Sequence, residues 1–291
     1  MESGSANRIG EYLRARRELV RPEDVGLPDL GRRRVPGLRR EELALLAGIS
    51  SDYYVRLEQG RDQHPSAQVL DALARALQLD DDATVYLHGL AHPPRRRRPA
   101  PRRPERVRPG LVQLIEGWHE TPAIVQGRLG EVLASNALAR ALSPIYEPGV
   151  NALRAVFLDP AVRDLYGDDW ERVAESVVAG ARALAGPEVD DPQLAELVGE
   201  LSIRSDHFRR LWARHDVRPR TGGGVRRLQH PQVGALELHY EKLAVTGSDG
   251  QTIVVYHADP GSASAQGLAL LASIAAGEPA TARGGSTPGA G

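Results

Sequence analysis

Between residues 39 and 61, seven side chains have the chemistry and spacing to bind DNA. They are Arg39, Arg40, Ser51, Asp52, Tyr53, Arg56 and Arg61. Arginine binds phosphate oxygens and guanine edges, and small polar groups contact base edges or nearby phosphates. Four of them can share one outward helix face if Tyr54 and Leu57, which are three residues apart, turn inward. We expect Ser51, Asp52, Tyr53 and Arg56 to contact base edges or nearby phosphates.

Two short helices joined by a tight turn would position these side chains. Leu43, Leu46 and Ala47 have the i, i+3, i+4 spacing of an inward stripe on a first helix. Gly48 allows a sharp turn, and Ser50 is a favourable N-cap for a second helix. This is the layout of a helix-turn-helix, whose second helix enters the major groove. The alternative is an ordinary helical hairpin with a solvated charged face.

Arginines are concentrated at the N-terminal end of this motif and in the loop before it. Arg39 and Arg40 precede Glu41 at the start of the first helix, where free backbone N–H groups can hold a phosphate. Upstream, a loop with two prolines and two glycines carries Arg32, Arg33 and Arg34. We expect these three to contact phosphates or the minor groove, and the alternative is a solvated charge run.

The run A-G-I-S-S-D-Y-Y-V-R-L-E-Q-G-R resembles the repressor-type (Xre) helix-turn-helix family. The longer run G-R-R-R-V-P-G-L-R-R-E-E, followed by D-Y-Y-V-R-L-E-Q-G-R, resembles the MmyB-like bacterial regulators. The resemblance covers most of residues 8–275. It implies a five-helix DNA-binding domain, followed by a PAS-like domain that accepts fatty-acid-like or other small lipophilic effectors.

Composition and charge fit two domains. The 291 residues can bury two cores, and the absence of cysteine suits a reducing cytoplasm, where the protein would lie with the nucleoid. No signal peptide or transmembrane stretch is apparent, so we expect no membrane partner. Residues 1–109 hold 21 Arg against 16 acidic residues, whereas the rest holds 16 basic against 22 acidic residues. A basic front half suits a DNA-binding domain.

Patterning divides the chain into four parts. Residues 1–92 are the helix-turn-helix domain, residues 93–109 are a linker with six prolines and eight arginines, residues 110–276 are the second domain, and residues 277–291 are a disordered tail. The second domain reads as a helix, a hairpin around Gly127–Gly130, a helix that starts at Asn136, and further helices, of which one spans 162–184. Three β-prone runs follow, at 225–230, 236–245 and 252–258, and then a last helix. These elements predict an α+β domain with an antiparallel sheet of about five strands and helices on one face. The whole chain is predicted to be mainly α.

The sequence gives no support for catalysis. It has no phosphate-binding loop, no G-x-S-x-G elbow and no H-E-x-x-H motif. We predict no catalytic residue, metal site or cofactor. In the second domain a small molecule would instead lie between sheet and helices. Six aromatic or polar side chains are the candidates to line that site: Trp118, Asn136, Phe208, Trp212, His215 and Tyr240. For any single one of them, an ordinary core position is the favoured alternative.

Our interpretation is a transcriptional regulator that binds double-stranded operator DNA as a homodimer on a pseudo-palindrome and senses a small lipophilic effector. One alternative makes the second domain a dimerisation or protein-interaction module only. A filled core with an exposed apolar patch would favour it over a sensor. A third hypothesis, an enzyme fused to a DNA-binding domain, would need a cleft with strongly perturbed carboxylates or histidines.

Overall fold

The computed structural model describes residues 7–27, 37–62, 64–92, 105–185, 191–217, 222–248 and 250–277. Five α-helices form the described part of the N-terminal domain: α1 (Arg8–Leu19), α2 (Arg40–Leu46), α3 (Ser51–Glu58), α4 (Ala67–Ala76) and α5 (Asp81–Ala91). A 3₁₀ turn, Pro22–Val25, follows α1. The predicted loop arginines Arg32, Arg33 and Arg34 lie outside the described residues, as do 93–104 of the linker and 278–291 of the tail.

The N-terminal core is built from the inward faces of all five helices. Tyr12, Leu43, Tyr54 and Leu57 are fully buried in it. The inward positions predicted for Leu43, Tyr54 and Leu57 are confirmed, whereas Leu46 is only half-buried. Burying such large side chains contributes roughly 1.5–3 kcal/mol each, which holds these short helices together.

The C-terminal domain contains eight helices and five strands among the described residues. They are α6 (Pro109–Glu116), β1 (Ala123–Gln126), β2 (Val132–Ser135), α7 (Ala137–Leu142), α8 (Ala152–Leu158), α9 (Pro160–Tyr166), α10 (Trp170–Ala185), α11 (Pro192–Arg204), α12 (Asp206–Ala213), β3 (Gly224–His230), β4 (Gly234–Ala244), β5 (Thr252–His257) and α13 (Ala263–Gly277). The strands form one antiparallel sheet in the order β2-β1-β5-β4-β3. The predicted fold class and its five-stranded sheet are confirmed.

Helices cover both faces of this sheet, which corrects the prediction that they lie on one face. The main core lies between one face and the helices from α7 onward, and it includes Ile124 of β1. The neighbouring residues Ala123 and Val125 point to the other face, where they pack with Ile115 of α6. Successive strand residues alternate between faces, so the apolar run A-I-V in β1 requires a partner on each side.

The segment 162–184, which the sequence predicts as one continuous helix, is broken. Helix α9 ends at Tyr166, a 3₁₀ turn spans Gly167–Asp169, and α10 begins at Trp170. Gly167 has a φ of +50° and a ψ of −127°, a backbone conformation open almost only to glycine. The periodicity of the apolar residues continues across this break, so the sequence pattern does not reveal the break.

The end of the predicted linker packs against the second domain. The backbone N–H of Arg128 donates to a Glu105 carboxylate oxygen at 3.2 Å. Val107 packs against the cluster that α6 forms on the sheet. Residues 105–108 therefore belong with the C-terminal domain in this structure.

The two domains also touch through the three residues 215–217, close after the end of α12. Val217 is buried against the N-terminal core. Asp216 forms an ion pair with Arg16 of α1 at 2.5 Å, and the His215 ring lies edge-on to Tyr12 with centroids 6.2 Å apart. We call residues 215–217 the docking segment. Within the described part of the chain, no helix combines the length and apolar character needed to cross a membrane.

Candidate DNA-binding surface and effector-binding core

The turn between α2 and α3 has the tight geometry expected from its sequence. Gly48 has a φ of +65°, and the N–H of Ile49 donates to the carbonyl of Ala44 at 3.0 Å. Ser50 then caps α3, because its hydroxyl accepts from the N–H of Tyr53 at 3.2 Å. These local contacts fix the direction in which α3 leaves the turn.

Helix α3 presents a polar face to solvent. Ser51, Asp52 and Arg56 are exposed, whereas Tyr53 is half-buried and carries the Arg56 guanidinium 5.5 Å from its ring centroid. Arg61, just beyond the helix, is exposed as well. The structure thus brings together the side chains predicted to face DNA from α3, and three of the four are exposed.

A buried carboxylate that sequence reasoning missed holds this motif together. Glu58, at the end of α3, accepts from Nε of Arg17 at 3.1 Å and from Nη2 of Arg40 at 2.7 Å. Arg17 also donates to the carbonyl of Leu38 at 2.7 Å. Burial alone would raise the pKa of Glu58, but the hydrogen bonds from Arg40 and Arg17 outweigh it and hold the pKa below its usual value. Glu58 thereby connects α3 to both α1 and the start of α2.

Arg39 and Arg40 are therefore not free phosphate ligands, because both already form hydrogen bonds within the motif. Arg40 turns both Nε and Nη2 toward Glu58, although half of its side chain stays exposed. The backbone N–H of Arg39 is already bonded by the Glu42 carboxylate at 2.7 Å. A surface depression of about 390 Å³ opens beside them; it is lined by Arg14, Arg17, Glu18, Arg39, Arg40 and Glu41. This mixed-charge depression lies at the junction of α1 and α2.

In the second domain, one arginine lies in the main core. Arg226 of β3 is only 8% exposed, with its guanidinium carbon 4.6 Å from the ring centroid of Tyr240. Its one hydrogen bond among the described residues reaches the Ser176 hydroxyl of α10 at 3.5 Å. Nearby, the hydroxyls of Tyr146 and Tyr256 are 2.6 Å apart. Alternation along a β-prone run indicates that every second residue turns inward, but it does not show which of two adjacent arginines does so.

Both domains match known families. Residues 8–87 match a family described as a helix-turn-helix domain, and residues 107–271 match the MmyB-like transcription regulator ligand binding domain. The chain belongs to the MmyB-like regulators. The comparison with curated proteins found no match to this chain. The matched families are regulator domains, which favours a regulator over an enzyme. This MmyB-like protein is thus a DNA-binding transcription regulator with a ligand-binding domain.

The six residues predicted to line an effector site of the MmyB-like domain do not converge. Trp118 packs on the outer face of the sheet with α6, away from the main core. Asn136 caps α7: its side-chain oxygen accepts from the N–H groups of Ala123 and Ala139, and its amide donates to three backbone carbonyls. Its hydrogen-bonding capacity is spent within the protein, so its role here is structural.

Three more of the predicted residues lie on α12 or just beyond its C-terminal end, toward the N-terminal domain. Phe208 is fully buried in the main core and stacks on Trp212 with centroids 5.7 Å apart. The Arg182 guanidinium carbon lies 4.0 Å from the Trp212 ring centroid, and its Nη1 is 3.1 Å from Nδ1 of His215. Burial and the charges of Arg182 and Arg16 lower the pKa of His215 to about 4, so its ring is neutral at pH 7. Of the six, Tyr240 alone lies beside Arg226.

Proposed function

We propose that this MmyB-like regulator reads operator DNA with α3 and that a small lipophilic effector in the C-terminal domain tunes its occupancy. The DNA assignment rests chiefly on one observation: the polar face of α3 is exposed while its apolar face is locked into the core. We assign base contacts to Ser51, Asp52, Tyr53 and Arg56. Phosphate contacts are assigned to Arg32, Arg33, Arg34, Arg39, Arg40 and Arg61.

Replacing Arg56 tests the DNA assignment. Arg56→Ala should weaken specific binding by about 1–3 kcal/mol and non-specific binding much less. Arg75→Ala is the matched control, because Arg75 is an exposed arginine on α4. Binding of each variant to operator and random DNA would be titrated over a range of salt concentrations. If both variants lose the same affinity on both DNAs, α3 is not the reading helix.

The effector assignment is supported by the composition of the main core. It lies between sheet and helices and combines aliphatic side chains with tyrosine hydroxyls and a guanidinium, the mixture found in small-molecule sites. A ligand that binds only the folded protein stabilises it by about 2.7 kcal/mol at a hundredfold excess over its dissociation constant. Thermal unfolding of the full chain with a panel of lipophilic metabolites would show this. Regulation further requires unequal affinity for the DNA-competent and incompetent states.

A dimerisation module remains the second candidate for the C-terminal domain, and α13 favours it. This helix is apolar around most of its circumference, yet only Leu268 and Leu271 are buried, and Leu270 is 52% exposed. We propose that it contributes to a homodimer whose two α3 helices enter successive major grooves about 34 Å apart. Leu270→Lys should lower the dimer fraction in sedimentation equilibrium. A monomeric wild-type protein at micromolar concentration would contradict this proposal.

A further inference from the structure

We infer that the docking segment fixes the direction of α3 relative to the C-terminal domain and thereby sets the half-site spacing that a dimer reads. When this contact is released, each N-terminal domain is held by its covalent connection alone and accepts several spacings. The inference rests on the proposed reading of DNA by a homodimer and adds control of half-site spacing to it.

The contact between the domains has an apolar part. Val217 is 8% exposed and packs in the N-terminal core, and Ala183 of α10 packs against the same cluster. Tyr12 of α1 is fully buried, and its ring centroid lies 5.3 Å from that of Tyr86 and 6.2 Å from that of His215. Residues that follow α12 in the C-terminal half of the chain therefore complete part of the N-terminal core.

Ion pairs give this contact a defined direction. Asp216 pairs with Arg16 of α1 at 2.5 Å and with Arg214 at 2.9 Å. Arg214 also pairs with Glu175 of α10 at 2.8 Å. The side chains of Arg16 and Asp216 are only 20% and 29% exposed, so their attraction is screened less than that of a pair in open solvent. The carboxylate that meets α1 is thus held in place from the C-terminal domain.

The backbone at His215 turns the segment toward the N-terminal domain. Its φ is +54°, in the left-handed region where residues other than glycine are uncommon. A residue keeps such a conformation when its surroundings hold it there. The surroundings here come from both domains, because Nη1 of Arg182 lies 3.1 Å from Nδ1 of His215 and the Tyr12 ring lies edge-on to its ring. The docked arrangement therefore supports the conformation that aims the segment.

The contact is also of a kind that can be released. Arg182 is 4% exposed, and among the described residues it forms no salt bridge with a carboxylate; its partners are Trp212, His215 and Tyr86. A buried charge without an ionic partner is unfavourable, which offsets part of the stability of the apolar contact. Polar contacts between domains resemble transient interfaces, so docked and released arrangements can interconvert.

Docking leaves the DNA-reading face of α3 open. The polar side chains of this face are exposed while the docking segment is in place. Arg16 of α1 contacts the docking segment, and the next residue, Arg17, holds Glu58 of α3 at 3.1 Å. One helix, α1, therefore connects the domain contact to the reading helix. Docking orients α3 and does not cover it.

A fixed orientation matters because two reading helices must enter the DNA together. Successive major grooves on one face of the DNA lie about 34 Å apart, and moving a half-site by about 5 bp turns it to the opposite face. Two docked domains on one dimer therefore match a single spacing. After release, residues 93–104 are the remaining covalent connection, and a chain of this length can reach roughly 40 Å at about 3.3 Å per residue. That reach admits other spacings, but ordering the connection on each of them weakens binding.

DNA duplexes with one or two half-sites test the inference on the full-length protein. The half-site is the sequence that the wild type selects from random DNA, and paired half-sites have centres about 8–13 bp apart. Asp216→Arg releases the contact by repelling Arg16, and Val217→Asp releases it by placing a carboxylate against the N-terminal core. Adding Arg16→Asp to Asp216→Arg restores opposite charges. Asp164→Arg is the matched control, because Asp164 is an exposed aspartate on α9.

We expect the wild type and Asp164→Arg to bind one spacing about tenfold or more tighter than duplexes about 2 bp shorter or longer. Asp216→Arg and Val217→Asp should bind that spacing about tenfold more weakly and differ by less than about threefold among neighbouring spacings. The charge-swapped double variant should recover the preference. All variants should bind the single half-site like the wild type, because α3 stays folded and exposed.

The possible contrary results differ in what they remove. If both release variants keep the spacing preference of the wild type, or the wild type binds pairs at every spacing equally, docking does not set the spacing while reading by a dimer stands. If both release variants also lose the single half-site, the segment is a structural part of the N-terminal domain, and the inference is wrong. If the wild type binds one half-site as tightly as any pair, the proposed dimeric reading fails and this inference fails with it.

Discussion

Glu58 offers the sharpest test of how the helix-turn-helix is held together. Its side chain is 3% exposed and that of its partner Arg17 is 7% exposed. Glu58→Ala would leave the Arg17 guanidinium buried with the Leu38 carbonyl as its remaining described hydrogen-bond acceptor and the half-exposed Glu18 carboxylate 3.7 Å away. Breaking a buried pair from one side costs about 3–5 kcal/mol. Arg40 is half exposed, so losing the ion pair between Arg40 and Glu58 should add only about 1 kcal/mol or less.

The measurement must isolate the N-terminal domain, because two domains need not unfold together. Amide hydrogen exchange in α1 and α3 reports the opening free energy of these helices directly. Glu41→Ala is the matched control, since Glu41 is an exposed glutamate of the same motif. A total stability of about 5–15 kcal/mol is typical of a domain, so Glu58→Ala should remove a large share of the stability of the N-terminal domain and speed exchange in α1 and α3.

The pH dependence provides a second measurement on the same residue. The folded-state pKa of Glu58 is lowered, so its contribution to stability is complete above the pKa of the unfolded chain. That contribution is lost as the pH falls through the folded-state value, and Glu58→Gln should remove this part of the acid sensitivity. If Glu58→Ala changes exchange no more than Glu41→Ala does, the buried cluster does not hold α3 in place.

Three further predictions concern the domain contact and the turn. Asp216→Arg should separate the domains by repelling Arg16, and adding Arg16→Asp should restore the contact, as measured by the radius of gyration from X-ray scattering. Folding lowers the pKa of His215 from 6.5 to about 4, so protonation opposes docking, and the contact should weaken as the pH falls through that window in the same assay. Gly48→Ala should destabilise the N-terminal domain by about 1–2 kcal/mol in thermal unfolding, since the φ of +65° disfavours a Cβ that otherwise meets open space.

The features that sequence analysis predicted well are those encoded locally. Gly48 and Ser50 define the turn within a few residues, and Asn136 starts α7 as its N-cap. The three β-prone runs of the C-terminal half became β3, β4 and β5 with boundaries shifted by one or two residues. In each case the signal is a backbone requirement or a periodicity that neighbouring residues satisfy among themselves.

The features that it missed depend on contacts between distant residues. Glu58 pairs with Arg17 across 41 positions, and Asp216 pairs with Arg16 across 200. In the sequence, Arg226 cannot be told from the other arginines; only the register of β3 shows that it points into the core. A single sequence gives the types of these side chains but not their proximity, so both the buried cluster and the docking segment were invisible to it.

Helix α10 connects the proposed effector core to the domain contact. Ser176 faces Arg226, and six residues later Arg182 stacks on Trp212 and contacts His215 of the docking segment. Six helical residues span about 9 Å, so one rigid element touches both sites. An effector that bound in this core and moved Ser176 would change a contact on this same helix. Such a link regulates DNA binding only if the effector binds the docked and undocked arrangements unequally, because equal affinity shifts neither population.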